Sequence, residues 1–163
     1  MQHLEDAEQK ALMGWARITP LRGSDVIAHA TLSDYLIAYP NGGKRLYTEA
    51  ARMAGLGVKK GVVDLFLPLA RHGFHGLWIE MKKPIHAFPS RSAARDAVTD
   101  EQESWICKME KAGHAAAPCY GWDEARTLLE EYLAEGVSSF GLFNLHCLTL
   151  RLRFEDIRRL KRA

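Results

Sequence analysis

The chain has 163 residues, 47% of them hydrophobic and 26% charged, the size and composition of one compact soluble domain with a single core. Its formal charge of +2 is too near zero to announce a polyanion partner by itself. Acids at Glu5 and Asp6 stand where a signal peptide carries lysines, and no apolar run reaches membrane-spanning length, so a cytoplasmic protein with no membrane partner is expected. Cys107, Cys119 and Cys147 are odd in number and lack CxxC spacing, which argues against a disulfide framework.

In chain order, Leu4, Ala7, Ala11, Leu12, Trp15 and Ile18 recur at three- and four-residue steps and predict a helix over about Leu4 to Ile18. Glu8 lies four residues from both Leu4 and Leu12, a carboxylate on the apolar stripe that needs a reason. Asp34 to Tyr39 reads as a strand stopped by Pro40-Asn41-Gly42-Gly43, and Leu46 to Leu56 as a second helix. The glycine run from Gly55 to Gly61 is not a dinucleotide fingerprint, because Lys60 takes the third glycine position and a strand follows rather than precedes it; no nucleotide cofactor is expected. Strands at Val62 to Leu69 and Gly76 to Lys82 are joined by so short a link that an antiparallel hairpin is predicted.

Lys83 to Val98, with two prolines and no period, reads as a mobile loop. Thr99-Asp100-Glu101-Gln102 starts a helix running to about Lys111, with Trp105, Ile106 and Met109 inward. A strand at Ala115 to Tyr120 and an amphipathic helix at Asp123 to Leu133 follow. The alternation of Leu148, Leu150, Leu152 and Phe154 with polar residues then predicts a last strand before a basic tail.

The chemistry concentrates in the hairpin. Strand alternation puts Glu80 and Lys82 on one face, with Met81 on the other, and Asp64 opens the partner strand. Two carboxylates that can hold a hard divalent cation, beside an ammonium that can orient water and a phosphate oxygen, are minimal equipment for metal-assisted phosphodiester hydrolysis. Plainer readings exist: Asp64 as a strand-start cap, Glu80 and Lys82 as an exposed pair of little energetic value, Glu8 as a snorkelling or ion-paired acid, and Gln102 as the N3 member of a capping box. His72 and His75 lack cysteines at zinc-ligand spacing and read as turn residues. The four tryptophans read as core or rim rather than a base-stacking platform, except Trp78, which shares a face with Glu80 and is expected near the cleft.

Tyr39-Pro-Asn-Gly-Gly-Lys-Arg45, Glu49-Ala-Ala-Arg52, Gly57 to Pro68, Gly76 to Pro84, Asp100-Glu-Gln102 and Gly121-Trp122 together resemble the VRR-NUC nucleases of the PD-(D/E)XK superfamily, particularly small stand-alone phage and bacterial members, over about Glu5 to Leu133. One departure is Val63-Asp64 where the family has Pro-Asp; that proline shapes backbone and donates no ligand. The resemblance implies an α/β restriction-endonuclease-like core, a mixed sheet of about four strands flanked by helices. It places a nuclease domain at residues 1–137 and leaves 138–163 as an added strand and basic tail, part of the same domain or a dimerisation element. It further implies a structure-selective DNA endonuclease using Mg²⁺ or Mn²⁺, acting on branched DNA as a homodimeric Holliday junction resolvase.

Carried over by position, Asp64, Glu80, the Met81 carbonyl and Glu8 are the expected metal ligands, with Lys82 and Gln102 as catalytic partners. Lys44, Arg45, Lys59, Lys60, Arg91 and Arg95 are the expected DNA contacts. Rival readings are a flap or fork nuclease, a sequence-specific restriction-like nuclease, and an inactive DNA-binding module.

Overall fold

The computed structural model describes residues 2–39 and 52–135. Four strands form one sheet in chain order: β1 (Ile37–Ala38), β2 (Leu65–Leu67), β3 (Leu77–Lys82) and β4 (Ala115–Tyr120). The first two pairings are antiparallel and β3 pairs with β4 in parallel. The parallel step needs a crossover, and the chain supplies α2 (Arg91–Arg95) and α3 (Asp100–Lys111) between β3 and β4. α1 (Gln2–Ile18) precedes the sheet and α4 (Trp122–Leu133) follows it. This is the mixed, helix-flanked α/β sheet of the sequence reading, and no helix among the described residues is long and apolar enough to cross a membrane.

The alternating strands sort their side chains into two layers. Leu65, Leu67, Leu77 and Ile79 face α1 and α4, where Leu12, Ala16, Leu128 and Tyr132 close the main core. Tyr132 is fully buried and its hydroxyl donates to the Leu69 carbonyl at 2.7 Å, so the ring packs without an orphaned polar atom. On the opposite face Val62, Val63, Trp78 and Ile106 form a smaller cluster under α3, with Phe66 and Trp105 packed against it. Glu80 and Lys82 project from this second face, beyond the edge of its apolar cover.

Several expectations need correction. Asp34 to Tyr39 is not one strand: Leu32–Asp34 is a 3₁₀ turn, and only Ile37–Ala38 pairs. The Asp34 carboxylate accepts from the Thr31 amide at 2.7 Å, a local bond that competes with sheet pairing. The strand expected over Val62 to Leu69 shrinks to Leu65–Leu67. Lys83 to Val98 is ordered: a 3₁₀ turn at Ile85–Ala87 leads into α2, whose first turn is capped by the Ser90 hydroxyl accepting from the Ala93 amide. Buried Ala94 and the Tyr120 hydroxyl, which donates to the Ala94 carbonyl at 2.9 Å, pin the segment to β4. Of the helix expected over Leu46 to Leu56, residues 52–55 are helical and the rest lies outside the described residues, as do the last strand and the tail.

Gly61 fixes how the approach to β2 meets α3. Its φ is +71°, and a Cβ there would come within 2.6 Å of the Glu101 backbone. Gly61→Ala therefore must move the start of α3 or strain the turn. A loss of about 1–3 kcal/mol is expected in urea unfolding, against an unchanged midpoint if the contact yields freely.

Candidate functional site

Asp64 precedes β2, directly opposite the end of β3, and its Oδ2 accepts from the Met81 amide at 2.9 Å. The hairpin therefore aims one carboxylate at the next. Glu80 lies on the same side, only 1% exposed, and Lys82 two residues on is 5% exposed. The Lys82 ammonium is 2.8 Å from Glu80 Oε1. Gln102 reaches in from the first turn of α3: its Nε2 donates to Glu80 Oε1 and its Oε1 accepts from Lys82 Nζ at 3.2 Å.

Gln102 also completes the capping box. The Thr99 amide donates to Gln102 Oε1 at 3.0 Å, and the Gln102 amide donates to the Thr99 hydroxyl at 3.3 Å. The structural and functional readings of this residue coexist in one conformation, because the amide oxygen serves the cap and Lys82 while the nitrogen serves Glu80.

These groups open onto a cleft of about 770 Å³, lined by Asp64, Glu80, Met81, Lys82 and Gln102 on the sheet side. α1 forms the other wall with Glu5, Gln9, Met13 and Arg17, spaced at one helical turn, and with Asp6 and Lys10 beside them. Burial pushes the Glu80 carboxyl up to about 8, and the nearby Asp64 charge adds to this against the pull of Lys82. Burial likewise raises Asp64, opposed by the Met81 amide and Lys82. Glu5 adds a smaller upward push to both.

Glu8 is placed elsewhere. Its Oε2 accepts from the Trp122 amide at 2.8 Å, so it caps the N-terminus of α4, close against Gly121 at φ +94°. That bond is the reason an acid sits on the apolar stripe of α1. The acids that α1 turns toward the cleft are Glu5, one turn earlier, and Asp6; the four-residue spacing of Glu5, Gln9, Met13 and Arg17 is the sequence signal of that face. Trp78 is not a cleft residue either. It stacks on Phe66 at 4.1 Å between ring centres and meets Trp105 edge-on, inside the second core. The aromatic that lines the cleft is Tyr39, stacked on Trp78 at 5.6 Å.

Lys59 and Lys60 are exposed, beside the Gly61 approach to α3, and do not line the cleft. Arg91 and Arg95 ride on α2 away from it. Lys44 and Arg45 lie outside the described residues. His72 takes a turn conformation at φ +53° with Nε2 3.2 Å from the Glu131 carbonyl oxygen.

The donor set suits a hard cation that keeps part of its water. Glu80 Oε2 is buried and has no hydrogen-bond partner among the described residues, an orphan that costs free energy unless something positive meets it. Yet no three Asp, Glu, His or Cys side chains among the described residues converge into a complete metal cage. Two carboxylates with the remaining positions left to carbonyl, water or phosphate is the arrangement Mg²⁺ favours.

A solved structure described as a VRR_NUC domain protein is similar to this chain at 28% sequence identity and a TM-score of 0.61, over 80% of this chain and 88% of its own length. No protein-family model and no curated protein matches the chain.

Glu80 makes the metal-free protein pH-sensitive with a definite sign. Its folded value lies above its unfolded one, so its contribution is complete below about pH 4.5 and is lost as pH rises through about 8. Thermal unfolding in EDTA should show a melting temperature falling across that window, and Glu80→Gln should flatten the fall. A second outcome separates the two α1 acids: Glu8→Ala should cost about 1 kcal/mol of stability through the lost α4 cap with Mn²⁺ affinity by calorimetry unchanged, whereas Glu5→Gln should alter Mn²⁺ affinity and leave stability near wild type.

Proposed function

We propose that this chain, similar in fold and sequence to a VRR_NUC domain protein, is a nuclease of that family, a divalent-metal-dependent endonuclease that hydrolyses phosphodiester bonds in branched DNA. The observation that carries this reading is the convergence of Asp64 and Glu80 beside Lys82, with Glu80 Oε2 buried and unsatisfied. Asp64 and Glu80 would hold Mg²⁺ or Mn²⁺, with the Met81 carbonyl as a further oxygen and Glu5 acting on the ion at longer range. The ion would supply Lewis-acid polarisation of the phosphate and lower the pKa of a water.

The chain's own groups do the rest. Lys82, held by Glu80 Oε1 and Gln102 Oε1, brings a fixed positive charge to the non-bridging phosphate oxygen and to the attacking water. Gln102 keeps Glu80 from rotating by donating to Oε1, which leaves Oε2 free toward the cleft. The Asp64 carboxylate is held by the Met81 amide, so the two acids keep their spacing when no cation is bound. Water gives up a proton to solvent as it attacks phosphorus in line, the phosphorus–oxygen bond on the far side breaks, and the leaving oxygen takes a proton from solvent.

Among branched substrates we favour the four-way junction. Cutting two opposed strands requires two related sites, which a homodimer provides. Labelled four-way junction, flap and linear duplex incubated with Mg²⁺, Mn²⁺ or EDTA decide the matter: paired symmetric nicks in the junction are expected, and none in EDTA. Cutting of linear duplex at one recurring sequence would replace this with the restriction-like reading. Lys82→Ala should slow cleavage about 100- to 1,000-fold and Glu80→Ala should abolish it, while both still shift the DNA band. Normal cleavage by either variant refutes the site.

A further inference from the structure

Beyond the hydrolytic centre, and resting on the nuclease reading, we propose that α1 and Tyr39 form a track for one unpaired DNA strand. The strand runs from the carboxylate end of the cleft toward Arg17, its phosphates on Lys10 and Arg17 and a base on the Tyr39 ring.

The cations come first. Lys10 and Arg17 line the cleft from α1, both are exposed, and neither makes an ion pair or hydrogen bond among the described residues. Seven residues are about two helical turns, so the two side chains leave the same side of α1, roughly 10 Å apart along its axis. The N-terminal end of the same wall carries Glu5 and Asp6 instead. A polyanion laid along α1 is therefore repelled at the acidic end, except where a bound cation offsets the acids, and attracted at the other. That polarity places the scissile phosphate at Asp64 and Glu80 and its neighbours at Lys10 and Arg17.

Tyr39 supplies the second, independent observation. Its amide donates to the Asp64 carbonyl at 2.7 Å, which ties the ring's position to a metal-binding residue. The ring lines the cleft and is backed by Trp78 at 29° between planes, and Trp78 is backed by Phe66 at 21°. A column of three rings thus ends at the cleft, opposite α1. A base can extend such a column only after leaving its own stack, which selects an unpaired strand or one splayed at a branch over continuous duplex.

The test is binding in EDTA, where nothing is cut, using the full chain and short labelled DNAs: a single strand, the matching duplex, and that duplex with a single-stranded arm. Wild type should prefer the single strand and the armed duplex. Lys10→Ala and Arg17→Ala should each weaken single-strand binding and flatten the slope of log affinity against log salt by about 0.7 per lost phosphate, with melting temperatures unchanged. Tyr39→Ala should weaken single-strand binding roughly tenfold without changing the salt slope or the affinity for duplex. Should that variant unfold, Tyr39→Leu keeps the apolar cover over Trp78 and carries the same expectation. Unaltered affinity and slope in the cation variants, or equal losses on duplex and single strand in the Tyr39 variant, overturn the track. A melting temperature lowered by Arg17→Ala with DNA binding intact means the residue serves only its helix end, and overturns it too. These results are independent of cleavage: a wild type that cuts nothing with Mn²⁺ but shows the binding losses sinks the nuclease reading alone, whereas one that cuts while the variants bind as it does sinks the track alone.

Discussion

Glu80 is a carboxylate placed where water scarcely reaches, facing a second carboxylate, and the local architecture answers to that conflict. Burial raises the proton affinity of both acids, and the Asp64 charge raises that of Glu80 further. Lys82 and Gln102 both satisfy Glu80 Oε1, and neither reaches Oε2. The protein thus holds one oxygen firmly and leaves the other wanting a positive charge. A proton can meet that want at low pH, and a metal ion can meet it where protons are scarce.

The sheet makes this possible by dividing labour between its faces. The layer under α1 and α4 is apolar and closed, and it supplies the rigidity. The opposite face is covered by α3 only as far as Trp78, and the next two outward positions of β3 are Glu80 and Lys82. Where apolar cover stops, polar function begins on the same strand. α1 belongs to both regions, since Leu12 and Ala16 enter the core while Glu5 and Gln9 line the cleft.

Much of this was legible in the residue order. The hairpin, the Glu-x-Lys alternation and the Thr99 to Gln102 cap follow from period and local hydrogen bonding, which act over a few residues. What the residue order does not show is set by hydrogen bonds that a periodic pattern cannot reveal, most of them between distant segments. Glu8, an expected ligand by resemblance, instead accepts from the Trp122 amide, 114 residues away in the chain. Asp34 sat in an apparently strand-like run but bonded back to Thr31. The segment after Lys83 lacked a period, yet Ala94 and Tyr120 anchor it through one long-range hydrogen bond.

The shared role of Gln102 bears on which substitutions this position tolerates. Glutamate would fill a capping box as well as glutamine does, since either side chain accepts from the Thr99 amide. Only glutamine also donates a hydrogen bond to the Glu80 carboxylate. Replacing the amide nitrogen by oxygen would leave the cap intact but bring a further anion against Glu80 and leave Lys82 with competing claims. The helix cap alone is blind to this change, so glutamine at the head of α3 answers to the buried Glu80 and Lys82 as well as to its own helix.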